Sequence, residues 1–504
     1  MDPASWELGP LARMEDACRA GETPALPGGS RGVSALLRQL LGQCRRAWTF
    51  VIPREGGNPG TGRRVSDWIP AFAQHRLLSG DHRYNEASPC NPGACDASDE
   101  DGSARSGSAV DGSDHVGRAL VKNIPMEAVR RSLEVTGRQS QRVRDLPAQL
   151  MMYYVIALGL FRSEEMREVL RLLLEGGRAM LGWAQIKPAG RPAITRARQR
   201  LGLDPLRHLY AQVVGPIATD QTQGAWYRKW RTVALDGTTL EVADSDENEK
   251  AFGRPYAQRG QSANPRVRVV GLVETGTHVL FAAEIAEYYT SEKALAQKVI
   301  DHLRPGMLCL ADRLCPGYAL WKQTQATGAD LVWRIQEKVR LEVVDPLADG
   351  SHLCRMYLKW DGKRPVGEPV LVRSIDYELE GSAQRYRLVT TILDPEEAPA
   401  QELAELYWER WEFETALDEF KTHLRGARTP LRSQRPELVR QEVYGLLLAH
   451  FALRCVMHEA ALRGGRDPDR ISFLHTVRVI KRSLPRFAAL PPSGVDAPVS
   501  DDPR

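Results

Sequence analysis

Between residues 228 and 335 the order of apolar segments restricts the folds open to this chain. Arg231-Thr-Val-Ala-Leu-Asp-Gly-Thr-Thr-Leu-Glu-Val-Ala reads as a strand, dense in Val, Thr and Leu. Residues 267–273 and 278–283 are two further strands, joined at Glu274-Thr-Gly as a hairpin. The pattern then switches. An amphipathic helix over 291–303 stops at Pro305-Gly306, and Met307-Leu-Cys-Leu-Ala follows as a buried-type strand. A helix over 318–327 and the strand Asp330-Leu-Val-Trp-Arg-Ile complete the run. Hairpin strands followed by alternating helix and strand predict an α/β (α+β) mixed sheet.

The flanking segments divide the chain. Residues 116–225 read as helical: Pro125 stands in a first-turn position, 146–161 is strongly apolar, and Ser163-Glu-Glu begins a helix that Gly176-Gly177 is expected to stop. After a turn at 187–192, a short helix carries Arg196, Arg198 and Arg200, a basic set suited to DNA phosphates. Residues 338–398 are strand-rich, with turns at Asp349-Gly350, Asp361-Gly362 and Glu380-Gly381, and read as a β insertion. A long helix is predicted from Pro399 to Leu424, with further helices over 436–462 and 469–483, so that 226–485 forms one catalytic domain. Residues 1–115 recur in Gly, Pro and Ser, with a run of acids at 96–114 and one helix at 33–46; we read this part as a low-complexity, disordered extension. Residues 486–504 read as a tail.

Two acids stand where acids are costly. Asp236 lies within the first strand and Asp312 at the end of Met307-Leu-Cys-Leu-Ala. A carboxylate there needs hydrogen bonds or a cation to offset its desolvation. On the helix after Ala398, Tyr407, Arg410, Glu414 and Lys421 sit at offsets 0, 3, 7 and 14. At about 100° per residue these share a stripe roughly 60° wide, beside an apolar seam of Leu406, Phe413, Leu417, Phe420 and Leu424. Spacing alone fits a solvated face with charge pairs better than a phosphate contact. Two strand carboxylates and a helix Glu are the hard oxygen donors that two Mg²⁺ ions take, with Mn²⁺ as a substitute. Such a pair, about 4 Å apart, suits in-line phosphoryl transfer.

Asp236-Gly237-Thr238, Ala311-Asp312-Arg313 and Tyr407-x2-Arg410-x3-Glu414-x6-Lys421 resemble the DDE transposases of bacterial insertion sequences that carry a Tyr-Arg-Glu-Lys signature, the insertion-sequence-four family. The resemblance spans about 116–485; Arg142-x-Arg144-Asp-Leu-Pro through Phe161, and Arg196-x-Arg-x-Arg-Leu-Gly, are similar to that family's N-terminal domain. It implies a ribonuclease H-like core preceded by a helical DNA-binding domain. It implies Asp236, Asp312 and Glu414 as catalytic metal ligands, and Tyr407, Arg410 and Lys421 as phosphate contacts. Trp411 is implied beside a flipped base at the element end, with Trp360 a weaker candidate. The activity implied is cleavage at insertion-sequence ends and joining to a target. The partners implied are terminal inverted repeats and target DNA, bound by a homodimer. One departure is local: Leu314 and Cys315 stand where the family has a small residue and then Phe.

Competing readings are a ribonuclease H-like nuclease and a domesticated, inactive DNA-binding derivative; the second is expected to have lost one of the three acids. No Gly-rich phosphate loop supports an ATP-driven mechanism. The eight Cys are scattered, which suits a reduced compartment, and no apolar run reaches the ~18 residues of a membrane span. The expected location is the bacterial cytoplasm, at the nucleoid. Asp244, Asp246, Glu247 and Glu249 read as a solvated acidic loop, His278 as a structural hairpin residue, and Lys250, Arg254, Arg259, Arg266 and Arg268 as a basic surface for DNA.

Overall fold

A computed structural model describes residues 50–51, 122–140, 145–181, 186–256, 264–312, 317–379, 385–424 and 429–483. The chain divides into two units. The first takes in 1–51, 56–86 and 378–384, and its described part is the strand β1 (Phe50–Val51) paired with Leu379 and Glu378. The expected extension, the helix at 33–46 and the tail otherwise lie outside the described residues.

The second unit is built on one mixed sheet. Its strands are β2 (Trp226–Tyr227), β3 (Trp230–Glu241), β4 (Arg266–Glu274), β5 (Val279–Glu287), β6 (Met307–Ala311), β7 (Asp330–Ile335), β8 (Glu342–Pro346), β9 (His352–Met356), β12 (Val370–Leu379) and β13 (Arg385–Thr390). A separate ribbon pairs β10 (Lys359–Asp361) with β11 (Arg364–Val366). The order is β5-β4-β3-β6-β7-β13-β12-β9-β8. β3, β4 and β5 are antiparallel neighbours, while β6 and β7 run parallel to β3. A three-strand meander whose first strand continues into two parallel strands is the ribonuclease H-like arrangement, so the predicted mixed sheet is observed. The insertion does more than decorate this core: β12, β9 and β8 extend the same sheet beyond β13.

The helices are α1 (Met126–Val135), α2 (Ala148–Leu160), α3 (Met166–Leu181), α4 (Arg191–Leu201), α5 (Asp204–Val213), α6 (Asp246–Phe252), α7 (Glu292–Val299), α8 (Tyr318–Gln325), α9 (Ala400–Leu406), α10 (Trp411–Asp418), α11 (Pro436–Arg463) and α12 (Phe473–Ser483). α3 runs past Gly176-Gly177, because Arg-Ala-Met-Leu beyond it are good helix formers that absorb the roughly 1 kcal/mol each glycine costs. The expected acidic loop is instead α6: Ser245 accepts from the Asn248 amide at 3.3 Å, and three acids fill the first turn, where the helix dipole favours them.

Strand alternation gives the sheet two apolar faces. Val233, Leu235, Cys309 and Ala311 face Leu295, Ala296, Leu320 and Trp321 of α7 and α8. Ala234 and Leu240 belong to the other core, with Phe413, Ala416 and Leu417 of α10 and Val443 and Leu447 of α11. α11 is long and apolar enough to cross a bilayer, yet it is mostly buried in protein and carries Gln441, Glu442, His450 and Arg454. It crosses α2 at two glycines. A Cβ on Gly445 would stand 2.4 Å from the Val155 carbonyl oxygen, so no side chain fits there. Among the described residues, Cys309, Cys354 and Cys455 are buried free thiols.

Candidate active site

Register brings the two strand acids together. Leu235 pairs with Ala311 in the parallel β3–β6 ladder, so Asp236 and Asp312 are the next residues on adjacent strands. By alternation Asp236 shares the face of Ala234, against which α10 packs. Glu414 projects from α10 and is exposed, whereas Tyr407 and Arg410 are buried.

Arg410 lies among the acids. Its Nη1 donates to Asp236 Oδ2 at 2.9 Å, and the Gly237 amide donates to Asp236 Oδ1 at 2.7 Å. The Tyr407 hydroxyl points at Asp312 Oδ1 and the Ala311 carbonyl, 3.4 Å from each. Burial pushes the Asp236 carboxyl up to about 7; Arg410 opposes this, while Glu414 and Asp312 add to it. Burial works against the Arg410 charge, but Tyr407, Asp236, Asp312 and Glu414 outweigh it and hold the guanidinium protonated. Three carboxylates therefore share one field, and Arg410 serves as their common counter-ion. The donors fit a hard divalent cation: all are carboxylate oxygens, and Asp236 is a half-buried acid whose desolvation outweighs the Arg410 charge.

Residues 114–211 match the family described as "Insertion element 4 transposase N-terminal", and residues 228–452 match "Transposase DDE domain". Together these cover well over half of the chain. The chain belongs to the insertion-sequence-four DDE transposases. The transposase InsG for insertion sequence element IS4 of Escherichia coli (strain K12) is 28% identical over 370 residues, 71% of this chain and 80% of InsG. InsZ of the same organism, also named as a transposase, is 26% identical over 215 residues, 42% of this chain and 69% of InsZ. Among solved structures, the piggyBac transposase synaptic complex with hairpin DNA aligns with a TM-score of 0.41 at 12% identity, covering 76% of this chain and 82% of that one. The transposase assignment carries divalent-metal chemistry and DNA as partner at that level of detail.

The helix bearing Glu414 is not the straight α-helix that the spacing assumed. α9 gives way to a 3₁₀ turn over Tyr407–Arg410, then to α10, then to a π turn over Glu419–Leu424. Tyr407 and Arg410 thus turn inward with the tighter winding, and half-buried Lys421 lies in the wider π turn. The apolar seam holds: Leu406, Phe413, Leu417, Phe420 and Leu424 are all buried. Trp411 is 44% exposed, with the Arg410 guanidinium 5.0 Å from its ring centre. Trp360 stands in the β10–β11 ribbon, half-exposed, with Arg340 4.0 Å over its ring. Arg313, Leu314 and Cys315 lie outside the described residues.

The basic helix needs one correction. Arg196 and Arg200 are exposed, but Arg198 is 1% exposed and points into the protein. It donates to Gln441 Oε1 at 3.3 Å, Ser433 Oγ at 3.1 Å and the Leu438 carbonyl at 2.8 Å, and lies 3.8 Å from Glu442. A residue so enclosed ties α4 to α11 and does not reach DNA. Arg198→Ala leaves the Leu438 carbonyl and Gln441 Oε1 without their buried donor, while Glu442 keeps Arg162 at 3.1 Å, and is expected to cost about 1–3 kcal/mol in urea unfolding. Weakened DNA binding with unchanged unfolding would restore Arg198 to the interface.

The expected basic surface is also largely neutralised. Arg254 pairs with Asp244 and Glu249, Arg266 with Glu241, and Arg268 with Glu292. One site residue escaped sequence reasoning: Arg334, whose Nη1 is 3.9 Å from Asp312. Ala311 pairs with Trp333 in β6–β7, so Arg334 is the register neighbour of Asp312. The available signal was an Arg inside the apolar strand Asp330-Leu-Val-Trp-Arg-Ile.

Proposed function

We propose that this transposase cuts DNA at insertion-sequence ends and joins the freed 3′-hydroxyl to a target, using Asp236, Asp312 and Glu414 as its catalytic carboxylates. The observation that carries this reading is the register adjacency of Asp236 and Asp312, on the sheet face covered by the helix of Glu414. These three residues would hold two Mg²⁺ ions, with Mn²⁺ able to replace them. When bound, the ions supply activation of the attacking oxygen and stabilisation of the leaving oxygen.

The chain's own residues bind and orient. Arg410 neutralises Asp236 in the protein alone and turns to a backbone phosphate when DNA and cation arrive. Tyr407, held beside Asp312, and Lys421 contact phosphates near the scissile bond, and exposed Trp411 meets an unstacked base. Arg196 and Arg200 place the helical region, 116–225, on the duplex as a DNA-binding domain, ahead of a catalytic domain at 226–485 with its insertion at 338–398. The protein acts as a homodimer on paired ends, in the cytoplasm at the nucleoid.

The test is strand cleavage on a labelled duplex bearing the inverted repeats that flank the gene. Nicking at the repeat boundary is expected with Mg²⁺ or Mn²⁺, and no nicking of a scrambled duplex. Absence of cleavage with both ions, by protein that binds the repeat, would overturn the enzymatic reading. Arg410→Ala and Lys421→Ala are each expected to weaken binding and lower the salt slope by about one; unchanged slopes would remove both from the phosphate contacts.

A further inference from the structure

Beneath the helix of Glu414 lies a buried polar cluster that the reaction above does not use. His278 ends the β4–β5 turn with φ 57°, a left-handed backbone unusual for a residue other than glycine. Its Nε2 is 3.0 Å from Glu412 Oε2 and 3.1 Å from Asp469 Oδ1, and its Nδ1 is 3.4 Å from Glu419 Oε1. Arg454 of α11 donates to that same Glu419 oxygen at 2.7 Å and abuts His278 Nδ1. His278, Glu412, Glu419 and Arg454 are all at most 9% exposed.

Glu412 and Glu419 bracket Glu414 in sequence, two residues before it and five after it. One face of the helix presents Glu414 outward, and the other is held at two points by a single imidazole. That imidazole is itself fixed. Glu274, fully buried at the start of the turn, pairs with Arg231 and accepts from the Ile217 and Ala218 amides at 3.0 Å each. The turn also presses on the chain at Ala225, whose backbone a Cβ on Gly276 would meet at 2.5 Å. The tie thus runs from a rigid hairpin to the segment where α10 passes into the π turn.

We infer that His278 is a positioning residue: it clamps Glu412 and Glu419 so that Glu414 is held in register with Asp236 and Asp312. This rests on the reading of Glu414 as a metal ligand. The same ligand atoms of His278, Glu412 and Asp469 are close enough to share a cation. Nε2 faces Glu412 and Asp469 and donates, while Nδ1 lies between Glu419 and the Arg454 guanidinium, so the three carboxylates around the ring outnumber the one cation and select a proton in place of a metal ion.

The test is Mn²⁺ binding to the full-length protein, followed by electron paramagnetic resonance, for wild type, His278→Asn, Glu412→Gln and Glu414→Gln. Asn tolerates the left-handed backbone, and Gln keeps the volume of Glu412, so one folded variant is retained if the other fails. Both clamp variants are expected to bind Mn²⁺ about tenfold more weakly, the size typical of losing a group that orients a ligand. In nicking assays the half-saturating Mn²⁺ concentration is expected to rise by the same factor, with the rate at saturating Mn²⁺ recovering to near wild type. Wild-type affinity in folded His278→Asn and Glu412→Gln, with binding weakened in Glu414→Gln, would overturn the clamp. Wild-type affinity in Glu414→Gln would instead overturn the reading of Glu414. One equivalent of zinc in purified wild type that is missing from His278→Asn would show a metal centre in place of the clamp.

Discussion

Glu414→Gln is expected to bind repeat-bearing duplex at least as tightly as wild type and to lose metal-dependent nicking by on the order of 10³-fold. Glu414 is exposed on α10, and an amide of the same size leaves the buried seam of that helix untouched. Neither fold nor docking should suffer. Removing a negative charge that faces phosphates favours binding slightly. What disappears is one anionic oxygen donor of the three. Charge stabilisation by a bound divalent ion is worth several kcal/mol in phosphoryl transfer, and about 4 kcal/mol corresponds to a thousandfold in rate. The measurement is single-turnover nicking of a labelled duplex in Mg²⁺, alongside binding in Ca²⁺. Nicking within about tenfold of wild type would take Glu414 out of the mechanism.

Asp236 and Asp312 were legible because an acid in or at the end of an apolar strand is costly to bury, and Glu414 only through its Tyr-Arg-Glu-Lys spacing. Asp236 lies inside an apolar strand and Asp312 at the end of one. Their adjacency was not legible. It depends on β3 pairing with β6 rather than with β7, which short-range periodicity does not record. The same holds for Arg334, placed beside Asp312 by the β6–β7 register. The hairpin and the strand–helix alternation could be read, since both follow from local apolar period. The helix of Glu414 was read as one straight α-helix because its spacing satisfies 3.6 residues per turn; the 3₁₀ turn meets β6 and the π turn meets α11 and α12, contacts that local spacing does not record. Arg198 was misjudged for a related reason. A basic helix looks the same whichever side faces inward, and the residues that enclose Arg198 come more than 230 positions later. His278 was read as structural, but its partners lie in segments distant in sequence.

Raising the pH from 7 to 9 is expected to destabilise the wild type through His278, by an amount that His278→Asn does not show. Burial alone would lower this imidazole's proton affinity. Asp469, Glu419 and Glu412 outweigh that and push it up to about 10, against an ordinary 6.5. The groups facing it are Glu412 and Glu419 from the catalytic helix, Asp469 from the 3₁₀ turn at Pro468–Arg470, and Arg454 from α11, with His450 behind Glu419 at 3.5 Å. A folded value above the unfolded one gives stability that is fully present below about pH 6.5 and lost as pH rises through about 10. Between 7 and 9 the unfolded chain has released this proton and the folded chain keeps it, so unfolding free energy falls by about 1.4 kcal/mol per pH unit. The window is well chosen. The raised Asp236 carboxyl, at about 7, acts mainly below it, and the buried thiols of Cys309 and Cys455, raised to about 12, act above it. Urea unfolding of both proteins at pH 7, 8 and 9 therefore isolates the imidazole as a difference of about 2–3 kcal/mol in the change across the window. Parallel pH curves for wild type and His278→Asn would mean that the ring is neutral in the folded protein, leaving Arg454 to hold Glu419 and nothing charged to hold Glu412 from the hairpin.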